Sequence, residues 1–546
     1  MATIQEPPPA VSIARRNGGV GPLRTAARIV IEKIEGAFDA VFAPGWNPWY
    51  QLGALGWFYY WVVLVSGIYL FIFFDTGVIQ AYESVEQITH AQWYAGGVMR
   101  SLHRYASDAL VVMALLHLVR EFILGRLYGA RWFAWSTGVM MMWFVYASGV
   151  SGYWLVWDKL AQYVAIAASE WLDALSFFGE PIARNFQTER TLNARFFTLL
   201  LFIHIAVPLF LLFFMWVHIQ RYLRPRVNPP RGLAIGTLLM LLALSLAKPA
   251  LSQGPAVLDQ VPSPVGLDWF YLTLFPLLEY VSAETLWLVV IGATAFLFML
   301  PWLRRRLPLP VAAVHLDNCN GCGRCVADCP FSALALVPRS DGLPFAAEVT
   351  VTAARCVSCG ICAGACPTAT PFRRKSDLIP GIELPSAPIT ALREQTMAAA
   401  GRLRGEARVI VYACDLGFDW SLLEGEGIAV VGVPCVGMLP PAFVDFVLSR
   451  RLADGVLFTG CRDGDCYHRL GMRWTEQRLR RERDPQLRQR VPAERVATFW
   501  GGVARIDELR QVLRAFRDRL RRLPAVKRRP LAAGGEPVPE VEAVHE

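Results

Sequence analysis

Six stretches of the chain are dense in apolar side chains: residues 54–74, 101–124, 133–156, 195–218, 233–250 and 284–303. Each is close to the length that carries a helix across about 30 Å of hydrocarbon. Ahead of them, residues 24–43 (RTAARIVIEKIEGAFDAVFA) alternate basic and apolar positions at helical spacing. That pattern predicts an amphipathic helix, lying on a membrane surface or packed against a soluble domain. Arg and Lys gather in the N-terminal segment, in the 120–132 loop (Arg120, Arg126, Arg131), in the 219–232 loop (Arg221, Arg224, Arg226, Arg231) and at Arg304-Arg305-Arg306. The 75–99 loop holds acids and no Arg or Lys before Arg100. Six crossings with this bias put both termini in the cytoplasm.

The pattern changes after residue 306. The runs 408–412, 428–433 and 455–459 are rich in β-formers, and 441–452 reads as a helix between the last two, which predicts a small α/β domain. The chain is therefore expected to be multidomain, with these parts: a disordered tail and surface helix (1–44), a six-helix α-helical membrane bundle (45–306), a cysteine-rich domain (307–375), a linker (376–404) that reads as a Pro-containing connector followed by a basic helix, the α/β domain (405–525) and a disordered tail (526–546). Composition sharpens the division. All twelve Cys lie after residue 306, eight of them in two runs of C-x-x-C pattern that suit metal ligation better than a disulfide framework. The net charge of +9 comes from Arg clusters beside apolar segments and near the C-terminus, which fits membrane topology and partner docking rather than nucleic acid. The first 40 residues lack the layout of a secretory leader, so no cleaved leader is expected.

Four histidines sit inside the apolar segments. His103 and His117 share the second and His204 and His218 the fourth, each pair fourteen residues apart. Fourteen residues make nearly four turns, so both His of a pair lie on one face, about 21 Å apart along the axis. Ionisable groups inside a membrane are costly and functional by default. Two such helices facing each other create two bis-His sites. The first and third segments carry the same interval in glycine, Gly53 with Gly67 and Gly138 with Gly152. A glycine at each level lets a porphyrin edge approach the backbone. Arg100 and Arg120 each stand three residues outside a His, placed to pair with haem propionates.

These residues resemble cytochrome b of the Rieske–cytochrome b complexes. The likeness runs through Arg100-x-x-His103, His117-x-x-Arg120, Gly152-Tyr153-Trp154-Leu155-Val156-Trp157, and Arg195-Phe196-Phe197 ahead of His204. It implies two haem b groups, His103 pairing with His204 near the outer face and His117 with His218 near the cytoplasm, and it favours a homodimer. There is no C-x-x-C-H, so covalent haem attachment is not expected. The segment 264–271 (PVGLDWFY) is similar to the family's Pro-Glu-Trp-Tyr motif at the outer quinol pocket, with Asp268 in place of Glu and one extra aromatic. On that likeness Asp268 accepts the quinol proton, and Trp269, Tyr271, Tyr153 and Trp157 line the pocket. An interfacial aromatic belt with an incidental acid is the other reading of the same residues.

The Cys-rich domain reads Cys319-x-x-Cys322-x-x-Cys325-x-x-x-Cys329-Pro330, then Cys356-x-x-Cys359-x-x-Cys362-x-x-x-Cys366-Pro367. It resembles the bacterial two-cluster ferredoxins, in which the fourth Cys of each run reaches across to the other cluster. One 4Fe–4S cluster then uses Cys319, Cys322, Cys325 and Cys366, the other Cys356, Cys359, Cys362 and Cys329; paired zinc knuckles are the alternative. In the α/β domain Cys414, Cys435, Cys461 and Cys466 all follow strand ends, where loops of a parallel sheet converge. Val433-Pro434-Cys435-Val436-Gly437, Asp454-Gly455-Val456-Leu457 and Gly460-Cys461 through Cys466-Tyr467-His468 resemble the delta subunit of methyl-viologen-reducing hydrogenases. The likeness implies a 2Fe–2S cluster, with structural zinc as the alternative, and a flavoprotein or heterodisulfide-reductase-like dehydrogenase as partner. It departs at Cys414-Asp415-Leu416-Gly417, where that family has a second Cys. His468 is expected at the surface, and the Arg-rich helices at 473–490 and 505–523 as a docking face for an acidic partner or as plain solvated helices.

Together these features predict a multi-pass subunit of a bacterial inner (cytoplasmic) membrane, its iron–sulfur domains cytoplasmic. It would pass electrons between quinone as substrate, two b haems, two 4Fe–4S clusters and one 2Fe–2S cluster. The same residues also describe a conduit without a quinone site that exchanges electrons with an external cytochrome, or an anchoring scaffold.

Overall fold

The computed structural model describes residues 22–177, 179–186, 192–220, 226–303, 310–373, 378–415, 420–462, 464–501 and 505–524. Residues 1–21 of the expected N-terminal tail and the tail expected at 526–546 lie outside the described residues, as do Arg221, Arg224 and Arg304-Arg305-Arg306, on which part of the expected topology rests. The chain divides into two compact units, Ile34–Leu307 and Pro308–Glu546 with Met1–Lys33.

The expected amphipathic helix is α1 (Pro22–Phe42). Leu23, Val30, Ile34 and Val41 fall on one stripe and are exposed. Arg28, Glu32, Glu35 and Asp39 fall on the opposite stripe. There Arg28 pairs with Glu32 at 2.8 Å, and Asp39 accepts from Asn47 and Tyr50, both at 2.8 Å.

The first unit continues with α2 (Leu52–Phe73), α3 (Gln80–Glu86), α4 (Val98–Ile123), α5 (Trp132–Val156), α6 (Lys159–Asp173), α7 (Ala194–Ile219), α8 (Arg231–Ala247) and α9 (Ala283–Leu303). All six apolar stretches are helical, with ends within three residues of expectation. Of the six expected crossings, four helices among the described residues are long and apolar enough to cross a membrane: Pro48–Phe73, α5, α7 and α9. Helix α4 has 26 residues but includes Arg100, Arg104, Asp108, Arg120 and Glu121, and α8 has only 17 residues. The spanning helices turn large apolar side chains outward, Trp61 and Ile68 on α2, Phe202 and Phe213 on α7, Leu288 and Phe296 on α9. That is the arrangement for hydrocarbon solvent, where the backbone is satisfied within each helix. Tyr60, Leu102, Leu110, Leu211, Leu241 and Phe275 pack inside. Helix α6, absent from the sequence expectation, is capped by Asp158, which accepts from the Ala161 and Gln253 N–H groups, both at 2.8 Å. Trp171 of α6 stacks on Trp287 of α9 with centroids 4.4 Å apart.

The second unit opens with β1 (Ala313–Val314), α10 (Arg324–Ala327), β2 (Leu334–Pro338), β3 (Ala347–Val351), α11 (Ile361–Ala365) and β4 (Ile382–Glu383). β1 pairs with β4 and β2 with β3, both antiparallel. The two Cys runs are structural repeats. Each turns at a glycine after its second Cys, Gly323 at φ 72° and Gly360 at φ 76°, before a one-turn helix. Left-handed backbone favours glycine there.

The α/β part contains α12 (Ile389–Arg402), β5 (Val409–Cys414), β6 (Ile428–Val433), α13 (Ala442–Ser449), β7 (Gly455–Gly460), α14 (Gly471–Leu479), β8 (Val496–Trp500) and α15 (Ile506–Arg522). Its sheet is parallel in the order β6-β5-β7-β8. The three expected strands are β5, β6 and β7, and β8 extends the sheet beyond them. The basic helix expected after the Pro-containing connector is α12, whose Ile389, Leu392 and Thr396 are buried; Thr396 hydrogen-bonds Tyr412 of β5 at 3.0 Å. On α15, Leu509, Leu513, Phe516 and Leu520 pack on Val409, Val411 and Leu457, while Arg510, Arg514 and Arg521 face outward.

The Arg-rich stretch 473–490 is divided: Arg473, Arg480, Arg488 and Arg490 stay exposed, while Arg478 and Arg483 turn onto Asp328. Arg478 is 1% exposed and pairs with Asp328, as does Arg483, and Arg488 and Arg490 hold the buried Asp445 at 2.9 and 2.7 Å. Phe516→Ala is expected to cost about 3–5 kcal/mol by opening the core under α15. Arg514→Ala on its outer face is expected to change stability by no more than about 0.5 kcal/mol. Denaturant unfolding followed by circular dichroism checks both.

Candidate metal centres

The four histidines of the apolar stretches lie on α4 and α7, and each is seated on one of the four glycines singled out above. A Cβ added at Gly67 would lie 2.9 Å from His103 Cε1, and at Gly152 3.0 Å from His204 Cε1. At Gly53 it would lie 3.6 Å from His117 Cε1, and at Gly138 3.7 Å from His218 Cε1. The glycines therefore make room for the imidazoles themselves, α2 notched for α4 and α5 for α7. His103 and His204 face each other with ring centroids 6.2 Å apart, and His218 lies within electrostatic range of His117.

An iron bonded to an imidazole on each side at about 2 Å sets two ring centres roughly 6 Å apart, so the first pair fits a bis-His haem. Ring tautomers are fixed from behind. His103 Nδ1 lies 2.9 Å from the Val63 carbonyl, His204 Nδ1 3.1 Å from Ser151 Oγ and His218 Nδ1 2.9 Å from Thr137 Oγ1. Occupying Nδ1 leaves Nε2 for metal, the usual arrangement of a ligating histidine.

Arg100 donates to Thr89 Oγ1 at 2.5 Å and Ser252 Oγ at 2.8 Å, with Glu86 at 3.6 Å. Arg120, 4% exposed, forms a buried pair with Glu35 at 2.7 Å. Both guanidinium groups thus have protein acceptors. With five donors on each, a propionate would add to these partners rather than replace them.

Of the expected quinol-pocket residues, Asp268, Tyr153 and Tyr271 come together, whereas Trp269 and Trp157 do not. Trp269 is 71% exposed; Trp157 is 2% exposed and packs edge-on against Phe197. Asp268 Oδ2 accepts from Tyr153 and meets Arg104 at 2.5 Å, and Oδ1 accepts from the Phe270 N–H at 2.7 Å. Burial pushes the Asp268 carboxyl up, but the Arg104 guanidinium, the Tyr153 hydroxyl and the Phe270 N–H together hold it below the usual carboxylate range. Arg104 also pairs with Asp108, and Tyr271 bonds Ser107 Oγ at 2.7 Å over the bare face of Gly149. Arg104, Asp108, Ser107 and Gly149 were missed from sequence. The usable signal was Arg104 and Asp108 four apart in an apolar helix, directly after His103.

In the second unit one cavity is lined by Cys319, Cys322, Cys325 and Cys366, the crossed set that the ferredoxin likeness implies; Cys322 is exposed. Burial, then the neighbouring Cys366, Cys322 and Cys319, push the Cys325 thiol up to about 12. Burial, then the neighbouring Cys325, Cys356 and Cys329, push the Cys362 thiol up, and burial, then Cys362, Cys435 and Cys329, push up Cys359; the second set lies together, with Cys325 and Cys435 also in range. Buried thiolates this close need positive charge among them, and cluster iron supplies it. Cys414 lies within hydrogen-bonding reach of Cys435 and Cys461, and Cys466 of Cys461, at the carboxyl edge of the sheet. The Val436 N–H donates to Cys414 Sγ at 3.2 Å. Among the described residues no three His, Cys, Asp or Glu side chains close tightly enough for one ion; the thiolates of a 4Fe–4S cluster hold separate irons and stand further apart. His468, expected at the surface, is 6% exposed, because its ring packs on Phe331 and Tyr467 with centroids 6.4 and 4.9 Å away.

A methyl forced into the tighter notches costs about 1–3 kcal/mol. Gly67→Ala and Gly152→Ala are therefore expected to lower haem occupancy at His103 and His204 several-fold, and Gly53→Ala and Gly138→Ala to change little. Haem absorbance per chain of the purified variants measures this.

Residues 38–224 match the cytochrome b/b6/petB family, 318–370 the 4Fe–4S dicluster domain, and 421–524 the delta subunit of methyl-viologen-reducing hydrogenase. The first match ends before Asp268, and the last begins after Cys414. A cytochrome b6 of Auxenochlorella protothecoides is 25% identical over 208 residues, which cover 37% of this chain and 95% of that protein. A chain of a hyperthermophilic respiratory Complex III aligns with a TM-score of 0.39 and 16% identity, over 47% of this chain and 76% of its own length. With its four apolar spans, the protein is an integral membrane protein. It is a cytochrome b-like electron-transfer subunit, in which a domain of the cytochrome b/b6 family is joined to a 4Fe–4S dicluster domain and to a domain of the hydrogenase delta-subunit family.

Proposed function

We propose that this subunit carries electrons between the quinone pool and a redox enzyme in the cytoplasm, through two b haems, two 4Fe–4S clusters and one 2Fe–2S cluster. The observation that carries the reading is the set of four glycine-seated histidines, with His103 and His204 at bis-His spacing. Haem bound there supplies one-electron chemistry, and the chain's task is to orient it. Val63, Ser151 and Thr137 hold the imidazoles with Nε2 inward. His103 and His204 serve the outer level, His117 and His218 the cytoplasmic one.

In this reading all six apolar helices cross a bacterial inner membrane. The exposed apolar stripe of α1 lies on its surface lipid, and both termini and the iron–sulfur domains are cytoplasmic. The partner is a flavoprotein of heterodisulfide-reductase-like or dehydrogenase type, docking on the delta-like domain, and the assembly is a homodimer.

At the outer level Asp268, kept ionised by Arg104, accepts the proton of a quinol hydroxyl, and Tyr153 and Tyr271 wall the ring. A second reading is favoured by how fully Asp268 is already bonded. In it Asp268, Arg104 and Tyr153 are structural, and the chain is a conduit that exchanges electrons with an external cytochrome. Asp268→Asn separates the two. Loss of a general base costs about 10²-fold or more, so quinol-driven haem reduction should fall by about that factor with the haem spectrum intact. An unchanged rate, or haems that ignore quinol but reduce from the iron–sulfur side, selects the conduit.

A further inference from the structure

The two Cys runs repeat one another, but not at every position. Gly364 on α11 corresponds to Ala327 on α10, and Asp328, just before Cys329, corresponds to Ala365. The ferredoxin-like loop itself therefore accepts alanine where the second run has glycine, and needs no acid where the first run has one. Both departures lie against the α/β domain. A Cβ on Gly364 would fall 2.0 Å from the Gly437 carbonyl oxygen, and one on Gly437 2.8 Å from Gly471 Cα. A Cβ on Gly471 would fall 2.3 Å from Cys435 Sγ and 3.4 Å from Ile361 Cδ1. Here three backbones meet where any side chain would part them. Asp328 seals the edge: it pairs with Arg478 and Arg483, and Arg478, 1% exposed, donates to the Gly437 carbonyl at 2.9 Å. A buried, bridging charge of this kind is costly to break.

Resting on the iron–sulfur reading of these cysteines, we infer that the set Cys329, Cys356, Cys359 and Cys362, and not the first set, exchanges electrons with the centre on Cys414, Cys435, Cys461 and Cys466, across the seam that Gly364, Gly437, Gly471 and Arg478 hold closed. Ile361 sits between Cys359 and Cys362 and touches the seam, while Cys435 lies under Gly471. Cys359 is within electrostatic range of Cys435. The first set's cavity is lined by residues of the dicluster part, and Cys322 is exposed, which makes this set the entry or exit of the pair of clusters. The step moves one electron, one centre being oxidised as the other is reduced, with no bond made or broken. Gly364, Asp328 and Arg478 are positioning residues.

The test is electron paramagnetic resonance of the reduced full-length protein, with iron content measured alongside. The wild type is expected to show spin–spin broadening between the second cluster and the Cys414 centre. In Gly364→Ala the broadening should be lost while each centre's own signal persists; in Ala327→Gly, the matching position of the first run, it should stay. Asp328→Asn, which opens the charged edge without adding an atom, should weaken it too. Non-interacting signals in the wild type, or broadening that survives both Gly364→Ala and Asp328→Asn, overturn the inference. Low iron, or no signal from the Cys414 centre, would instead strike the iron–sulfur reading itself.

Discussion

The helical unit depends on one kind of contact, an imidazole resting on the bare backbone of a glycine. A helix pair can close around a side chain as large as histidine only where the facing residue has no Cβ. Gly53 and Gly67 provide this on α2 for His117 and His103, and Gly138 and Gly152 on α5 for His218 and His204. The antiparallel pairs α2/α4 and α5/α7 follow from this matching, and α4 and α7 must run in the same direction for like-placed histidines to meet. Charged groups then settle at the helix ends. Arg120 finds Glu35, and Arg104 finds Asp108 and Asp268.

Much of this was legible because it is periodic. Histidines and glycines at fourteen-residue intervals and Cys-x-x-Cys runs carry geometry in their spacing, and the apolar stretches became helices with nearly the expected ends. What failed to show depended on contacts between distant positions. The bonding of Asp268 comes from Arg104 and Tyr153, more than a hundred residues upstream, so a motif reading saw a free base where the fold holds an ion pair. Trp269 and Trp157 were grouped with it by sequence proximity and aromatic character, but one faces out and the other is packed on Phe197. Burial of His468 follows from Phe331 of the dicluster part, which no local pattern around His468 reveals. Helix α6, by contrast, was readable: Asp158 caps it, and Leu160, Val164, Ala168 and Trp171 fall at helical spacing.

The arginines of 473–490 show the same limit from the other side. They read as a solvated, partner-seeking face, yet the fold turns Arg478 and Arg483 onto Asp328, which fastens the dicluster domain to the α/β domain, and Arg488 and Arg490 onto Asp445 within the α/β domain. Outward-facing arginines remain on α15. A repeat that departs from its own pattern at Gly364 and Asp328 was the sequence trace of that junction, and it becomes informative once Gly437 and Arg478 are seen opposite.

The account stands or falls on the two histidine pairs. The direct measurement is haem content of the purified protein by pyridine haemochrome assay, in the wild type and in His103→Leu and His117→Leu. The account predicts two b-type haems per chain, with each substitution removing one and leaving the other's spectrum in place. A single haem in the wild type, or a full complement retained in either variant, would contradict it.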